Sequence, residues 1–317
     1  MRCARLRKLL VAGQLGMALL AGCAPHRISP GEGFVQVPGG RVWWRIIGHG
    51  SRTPLLVLHG GPGASSLYLK PLEALADERP VVFYDQLGGG QSGRPDDNTL
   101  WTTERFVAEL ARVRQALGLT KVHLYGHSWG TIVASEYMLT RPKGVRSLIL
   151  AGPALSIPLW EKDAKVLLAT LPDSVQAALV KLESEQKFDT PEYQAASMVF
   201  YNMYFARRQP WSPDLQKAFG DINPVVYGYM QGPSEFTVTG TLKGYDCTPR
   251  LHEIGVRTLF VAGQYDEVTP ATVEYYKSLI PGAEMAIIPD AGHVAMQDEP
   301  EKYVQVLREF LRKADEQ

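Results

Sequence analysis

The sequence feature that most constrains the fold is a short segment between an apolar run and a helical pattern. Residues 126–130 read Gly-His-Ser-Trp-Gly, after the apolar run 122–125 and before the helical run 131–139. In a strand–turn–helix unit of this kind, the tight turn lifts the central serine hydroxyl above a sheet. Glycines on both sides of the serine let the strand and the helix approach without side-chain clashes. The pattern predicts Ser128 as a nucleophile, and a plain turn is the alternative.

Apolar runs of strand length recur along the chain, at intervals that leave room for helices between them. One helical pattern, residues 103–117, places Phe106, Leu110 and Val113 on a single face. Short buried strands that alternate with amphipathic helices favour a mostly parallel sheet covered on both faces. The predicted fold is α/β with a mostly parallel eight-stranded sheet. The strand-like runs are residues 42–47, 55–58, 81–84, 122–125, 147–150, 258–262 and 284–288.

Residues 155–245 break this alternation. They contain many aromatic residues and helical patterns but no convincing buried strand. We interpret them as a helical cap inserted after the sixth strand, between the two parts of the sheet domain, residues 34–154 and 246–317. A second, independent helical domain is the alternative. The helices predicted within the cap are residues 161–170, 174–186, 191–207 and 213–219.

A second glycine-rich segment, His-Gly-Gly-Pro-Gly at residues 59–63, follows the predicted strand 55–58. Acyl transfer creates an oxyanion that needs backbone N–H donors about 3 Å away. In folds with the serine turn described above, one donor follows the nucleophile and the other lies in the loop after the third strand. Trp129 and Gly61 are therefore the predicted donors. The loop lacks the lysine of a phosphate-binding loop, and a structural turn is the alternative.

The nucleophile needs a base and an acid that orients the base, in the chain order serine, acid, histidine for this fold. His293 lies between the last predicted strand and the last predicted helix, residues 299–311. Asp266 lies just beyond the predicted strand 258–262 and is the predicted acid, with Asp290 as the competing candidate. The acid would hold the imidazole tautomer and stabilise the imidazolium that forms during attack.

The N-terminal residues have the marks of a secretory signal. A basic start precedes a mostly apolar run, residues 9–22, which is too short to span a bilayer comfortably. The run closes on Leu-Ala-Gly-Cys at residues 20–23, which resembles the bacterial lipobox, and an ordinary signal peptide or a buried helix start is the alternative. We expect a lipoprotein signal peptide at 1–22, lipidation of Cys23 and a tether at 23–33. The mature protein would be anchored to a membrane on the periplasmic side, the outer membrane in a Gram-negative cell.

Together the motifs resemble those of the proline iminopeptidases, which are serine enzymes of the α/β-hydrolase fold, and most closely the tricorn-interacting-factor type. The resemblance implies release of an N-terminal residue, often proline, from short peptides through an acyl-enzyme. Family members bind the free amino group with glutamates of the cap and the core, and these positions fall on Glu235 and Glu267. A solvated loop charge and a helix-start acid are the respective alternatives. The resemblance extends over the whole mature chain, including residues 59–63, 85–92, 126–130, 232–236 and 263–270.

Several competing functions are less consistent with these residues. Amino-acid amidases and carboxylesterases are close relatives that use the same triad, and they are the alternative function. A binding protein on an inactive hydrolase scaffold would not need an intact triad. The 33 basic and 33 acidic residues balance, which leaves no electrostatic footprint for nucleic acid. The 3 cysteines and 7 histidines show no ligand spacing, so no metal or other cofactor is expected. The expected partners are short peptides or amino-acid amides with a free N-terminus.

Overall fold

The computed structural model describes residues 28–316 of the chain. The predicted signal peptide, Cys23 and the first part of the tether lie outside these residues. Within the described part, eight strands form one sheet. They are β1 (Gly31–Val37), β2 (Gly40–Ile47), β3 (Leu55–Leu58), β4 (Val81–Tyr84), β5 (Val122–His127), β6 (Val145–Ala151), β7 (Arg257–Gly263) and β8 (Glu284–Ile288). Their spatial order is β1-β2-β4-β3-β5-β6-β7-β8.

The sheet is antiparallel only at one side, where β2 pairs with β1 and β4. The remaining neighbours from β4 to β8 pair in parallel. The predicted α/β class with a mostly parallel eight-stranded sheet is therefore confirmed.

β1 was not among the predicted strands. It begins at Gly31, so the tether predicted over 23–33 is too long. Glycine is depleted in strands, but a side chain at Gly33 would come within 3.2 Å of the Trp44 ring on β2.

Helices cover both faces of the sheet. None of the helices in the described range is long and apolar enough to cross a membrane. A π-helix (Tyr201–Phe205) and a long 3-10 helix (Ser66–Asp77) also belong to the fold. The α-helices of residues 28–316 are α1 (Thr103–Ala116), α2 (Trp129–Leu139), α3 (Ile157–Leu168), α4 (Asp173–Ser184), α5 (Pro191–Phe200), α6 (Pro213–Gly220), α7 (Pro224–Met230), α8 (Pro270–Leu279), α9 (Ala295–Asp298) and α10 (Pro300–Asp315).

The central strands are apolar throughout because both of their faces are buried. In β3, Leu56 and Leu58 pack into a core that also contains side chains of α1 and α2. Leu55 and Val57 point the other way, into a second core with side chains of the 3-10 helix and α10. Successive strand residues face opposite sides of a sheet. An unbroken apolar run in the sequence thus corresponds to a strand between two helical layers.

The strand order brings distant parts of the sequence to one edge of the sheet. β3 and β5 are parallel neighbours, so the loops that follow them lie side by side. These loops carry the two glycine-rich segments, residues 59–63 and 126–130. β7 and β8 end at the same edge and are followed by Asp266 and His293. Crevices beyond the carboxyl ends of parallel strands are the usual ligand sites of such sheets.

The helices α3 to α7 lie between β6 and β7, in the region where the sequence predicts a helical insertion. Two details differ from the prediction. The helix expected at 191–207 is α5 followed by the π-helix, and the chain becomes extended at Ala206. α7 was not predicted because it is short and contains a glycine at position 228, which lowers helix propensity. Pro224 at its first position favours the helix start.

Candidate active site

Ser128 lies in the turn between β5 and α2. Its backbone has φ 53° and ψ −124°, a conformation that a non-glycine residue rarely adopts. The neighbouring backbones approach too closely for side chains. A Cβ atom at Gly126 would lie 2.4 Å from the Gly130 carbonyl oxygen, and one at Gly130 would lie 2.7 Å from that of Leu58. The packing of β5, α2 and β3 therefore maintains the strained turn that the motif predicts.

His293 and Asp266 form a buried hydrogen bond, with 2.7 Å between Nδ1 of the imidazole and Oδ1 of the carboxylate. Asp266 is also held by the backbone amides of Gly263 and Val268. The competing acid, Asp290, is exposed on the surface. Because Nδ1 is engaged, Nε2 is the ring nitrogen left for a substrate or nucleophile, and it has no hydrogen-bond partner among the described residues. The acid thus holds the imidazole as in a serine-hydrolase triad, whereas the hydrogen bond between Ser128 and Nε2 is not formed in this structure.

The two glutamates inferred from the family resemblance lie near this histidine. Glu267 is only 2% exposed, and neither of its carboxylate oxygens has a hydrogen-bond partner within residues 28–316. Its Oε2 lies 4.0 Å from Nε2 of His293. Glu235, in the loop after α7, lines the same cavity as Ser128 and His293. The alternative of a helix-start acid is not supported for Glu267, because the side chain is buried and the residue that caps α8 is Thr269.

The acidic groups around His293 shift its protonation. Burial alone would lower the pKa of His293, but Asp266, Glu267 and Glu235 outweigh it and raise the pKa to about 9. Burial in turn raises the pKa of both glutamates, whereas the charge of His293 lowers it. The negative charge of Glu235 further raises the pKa of Glu267. Three carboxyl groups thus surround one imidazole, and a cation that entered the site would stabilise the charged forms of the two glutamates.

The loop that carries His293 is held by the cap. Backbone amides of His293 and Val294 donate to the carbonyl oxygens of Tyr204 and Phe205 in the π-helix, at 2.7 and 2.9 Å. Single-turn π-helices are frequent at functional sites. Gly292 is required here, because a Cβ atom at this position would lie 2.6 Å from the Tyr204 carbonyl oxygen.

Asp298 reinforces the same junction between the cap and the histidine loop. Its Oδ2 accepts a hydrogen bond from the Gly292 amide, and its Oδ1 accepts from the amides of Arg207 and Arg208. These three bonds join the backbone before His293 to the segment that follows the π-helix. Sequence reasoning missed Asp298, since nothing in its local pattern distinguishes it from a surface acid of a helix.

The predicted oxyanion donors are close to the nucleophile, since Gly61 lines the same cavity as Ser128 and Trp129 follows Ser128 in the chain. Trp129 is the first residue of α2, and the first amides of a helix have no partner within it. The amide of Gly61 donates to no group among the described residues. Nδ1 of His59 lies 2.7 Å from the Gly60 carbonyl oxygen, while its Nε2 accepts from the Gln86 amide. His59 is therefore protonated on Nδ1, and its bond to Gly60 orients the peptide unit whose other end is the Gly61 N–H.

Gln86 joins the two donor loops and was not predicted as a site residue. Its side-chain amide donates to the His59 carbonyl oxygen, and its side-chain oxygen accepts from the indole of Trp129, both at 2.9 Å. A signal was present in the sequence, because Gln86 belongs to the segment 85–92 that resembles the family. Its role could not be read there, since the two partners are distant in sequence.

A cavity of about 30 Å³ lies beside Ser128 and is also lined by Gly61, whereas Glu267 is not among its lining residues. Its wall combines the polar residues Ser128, His293 and Glu235 with apolar side chains, most of them from the cap. A cavity of this size holds only a small group without rearrangement. The apolar lining residues are Ala64, Phe205, Leu215, Ala218, Phe219, Ile222 and Val294.

Comparison with known proteins assigns the chain to a family. Residues 53–300 match the family described as the alpha/beta hydrolase fold. The proline iminopeptidase of Heyndrickxia coagulans is 48% identical over 283 residues, which cover 88% of this chain and 98% of that protein. The chain belongs to the proline iminopeptidase family of α/β-hydrolases.

Solved structures of the α/β-hydrolase fold agree with this membership. The crystal structure of the proline iminopeptidase of Mycobacterium smegmatis superposes with a TM-score of 0.84 at 32% identity, over 90% of this chain and 99% of that one. The crystal structure of VinJ superposes with a TM-score of 0.87 at 35% identity, over 90% of this chain and 100% of that one. The family resemblance inferred from the motifs is confirmed.

Replacing the nucleophile tests the assignment of Ser128. We expect Ser128→Ala to lower kcat about 10³-fold or more on every substrate, because loss of one triad member disables the whole unit. The thermal unfolding midpoint should change little, since alanine is smaller and adopts the same backbone. Ser135→Ala is the matched control: this α2 serine is buried, and its hydroxyl has no partner in the described structure. A Ser128→Ala enzyme with a tenth of the wild-type rate would remove Ser128 from the mechanism.

Proposed function

We propose that the protein is a serine exopeptidase that releases an N-terminal residue, proline or another small apolar residue, from short peptides. The observation that carries this proposal is Glu267, a buried carboxylate without a hydrogen-bond partner in residues 28–316, located 4.0 Å from Nε2 of His293. A buried charge of this kind is costly unless it is paired. The α-ammonium group of a peptide would supply the partner at the point where the N-terminal peptide bond meets the base.

The reaction follows the usual course of a serine hydrolase. The hydroxyl oxygen of Ser128 attacks the carbonyl carbon of the substrate's first residue while His293 takes the hydroxyl proton. Asp266 stabilises the imidazolium that forms. The amides of Gly61 and Trp129 receive the oxyanion. His293 then protonates the leaving nitrogen, which departs with the shortened peptide and leaves an acyl-enzyme. Water, deprotonated by His293, releases the free amino acid and restores Ser128.

The cavity supports a small first residue. Apolar side chains of α6 and of the π-helix, including Phe205, Leu215 and Phe219, line it opposite Ser128. These side chains have no hydrogen-bonding group for a polar side chain of the substrate. A compact apolar group would bury its surface there, which stabilises binding by about 25 cal/mol per Å². The ring of proline fits this description, and its secondary ammonium would still face the glutamates.

The ammonium contact is tested by Glu235→Gln, which keeps the size of the side chain but removes its charge. Charge-assisted hydrogen bonds contribute about 1.5–3 kcal/mol, so kcat/KM for a proline arylamide should fall roughly 10- to 150-fold. An aryl ester without an amino group should lose no rate, because Glu235 also raises the pKa of His293 and its removal favours the neutral base. Glu185→Gln, which removes an exposed charge of the cap, is the control and should leave both rates unchanged. Equal losses on both substrates would favour an esterase or amidase whose cap selects by shape.

The dependence on pH provides a separate test. His293 must be neutral to act as a base, and its neighbouring carboxylates raise its pKa to about 9. The kcat/KM for an amine-free ester should therefore rise with pH up to that region. Glu267→Gln removes one negative charge, which lowers the pKa of His293 and moves the rising limb to lower pH. Ester hydrolysis at pH 7 should then become several-fold faster, while cleavage of proline arylamide becomes slower. If the rising limb of the pH profile does not move, Glu267 does not raise the pKa of His293.

We also propose that the protein is an exported lipoprotein, anchored to the membrane through Cys23. Support comes from the sequence alone: a basic start, a short apolar run and Leu-Ala-Gly-Cys at residues 20–23. A single acyl chain binds membranes only weakly, so stable anchoring takes more than one. Ala24, rather than aspartate, follows the cysteine and resembles the outer-membrane sorting pattern of Gram-negative lipoproteins.

The anchor is tested by metabolic labelling with a radioactive fatty acid in a bacterial host. The wild-type protein should incorporate label and sediment with membranes, whereas Cys23→Ser should do neither because the acceptor sulfur is missing. Cys3→Ser is the control, since it removes a cysteine that lies within the predicted signal peptide, and its labelling should match the wild type. Absence of label in the wild-type protein would refute the anchor without affecting the catalytic assignment.

A further inference from the structure

Two buried residues that the reaction scheme does not use form a hydrogen-bonded chain beside the nucleophile. The Gly60 amide donates to the hydroxyl oxygen of Tyr68 at 2.6 Å. The same oxygen lies 2.8 Å from Nδ1 of His127. Nε2 of His127 lies 3.0 Å from the backbone carbonyl oxygen of His293. Tyr68 is 6% exposed and His127 2%, so water does not compete for these contacts.

The partners at the two ends decide the direction of every hydrogen bond in this chain. A carbonyl oxygen only accepts, so Nε2 of His127 carries the proton and donates to His293. Burial lowers the pKa of His127 well below its ordinary value, which keeps the ring neutral and leaves Nδ1 as an acceptor. The Tyr68 hydroxyl therefore donates to Nδ1 and accepts from the Gly60 amide. All donors point the same way, from Gly60 through Tyr68 and His127 to His293.

The chain connects three loops that supply different parts of the chemistry. Gly60 precedes the predicted oxyanion donor Gly61 in the loop after β3, His127 precedes Ser128, and His293 lies in the loop after β8. These loops are held at close range. A Cβ atom at Gly60 would lie 2.9 Å from both the Cβ of Ser128 and the hydroxyl of Tyr68. The rings of His127 and His293 are 4.7 Å apart between centroids.

Both ends of Gly60 are fixed by side chains. Tyr68 binds its amide, and His59 binds its carbonyl oxygen, which belongs to the peptide unit that contains the Gly61 N–H. Rotation of this unit would turn the Gly61 donor away from the oxyanion. Catalysis by backbone donors depends on such preorganisation, and a misplacement of about 1 Å can cost about 100-fold in rate.

We infer that Tyr68 and His127 are positioning residues that align the oxyanion loop with the nucleophile and the base. Both side chains line the cavity beside Ser128, but their polar atoms are engaged with each other and with the backbone of Gly60 and His293, and they act through these contacts. The inference rests on the proposed acyl transfer at Ser128 but not on the choice of an amine substrate. Its test is therefore run on an amine-free aryl ester as well as on a proline arylamide, so that a failure of the ammonium proposal is recognised separately.

Tyr68→Phe removes the central hydroxyl and keeps the ring. We expect kcat to fall roughly 10- to 100-fold on both substrates, with KM within about twofold of the wild type, because ground-state binding does not use the oxyanion donors. A boronic acid analogue of proline, whose adduct with Ser128 is tetrahedral, should lose affinity by the same factor as kcat/KM. Pyrrolidine, an amine without a carbonyl or carboxylate oxygen to place between the donors, should bind as before.

Two further variants separate positioning from a general loss of structure. Tyr303→Phe is the matched control, because it removes another buried hydroxyl, whose partner is the hydroxyl of Tyr125. It should leave kcat and boronate affinity within about twofold of the wild type. His127→Asn retains an acceptor for Tyr68 but loses the donor to His293, so its kcat should lie between those of the wild type and His127→Ala.

The inference is overturned if Tyr68→Phe lowers kcat no more than Tyr303→Phe does. It is also overturned if Tyr68→Phe weakens the binding of boronate and of pyrrolidine equally. Should Tyr68→Phe not fold, kcat is compared among wild type, His127→Asn and His127→Ala instead. Equal kcat values for the two His127 variants would show that the hydrogen bond from Tyr68 to His127 does not contribute to the rate.

Discussion

The site depends on close contact between backbones at the carboxyl edge of the sheet. The turn at Ser128 is possible because Gly130 lets α2 pass within contact of the loop after β3, where the carbonyl oxygen of Leu58 would lie 2.7 Å from any added Cβ atom. Gly263 allows a similar approach between the ends of β7 and β8, because its Cβ atom would lie 2.2 Å from the Gly292 carbonyl oxygen. Main-chain packing thus brings together the nucleophile, the oxyanion loop, the acid and the base. The reacting side chains project from backbone segments that have little freedom to move.

Electrostatics explains why this frame would favour one kind of substrate. Asp266, Glu267 and Glu235 all act on His293, yet only Asp266 forms a hydrogen bond with it. Burial makes the charged form of Glu267 expensive, and no group of the described chain donates to it. A cation that enters the cavity relieves this cost, whereas a neutral ligand leaves it in place. Discrimination between free and blocked amino termini would then follow from desolvation more than from shape.

Features with a local signature could be predicted from the sequence, and those made by distant contacts could not. The strand, the serine turn and the following helix are adjacent in the chain, so Ser128 and its glycines form a readable pattern. The order of strands and acids along this fold led to Asp266 and His293, which the structure brings into contact. By contrast, Gln86 bonds to residues that are remote in sequence, and Asp298 bonds to backbone amides. Contacts of these two kinds produce no periodic pattern in the sequence. The first strand was missed because its glycines resemble a linker until the Trp44 ring that covers Gly33 is seen.

The attachment of the His293 loop to the π-helix has a consequence for how substrates could reach the cavity. If the cap moved away as a rigid body, it would have to break the bonds from the His293 and Val294 amides to the π-helix and those from Arg207 and Arg208 to Asp298. The base would lose its alignment at that moment, so an open enzyme would be unable to attack. By contrast, no backbone hydrogen bond of α6 or α7 in the described chain reaches the His293 loop, so a displacement of these two helices alone would leave the base aligned. Reaction would then be restricted to a closed chamber, which protects the acyl-enzyme from nucleophiles larger than water.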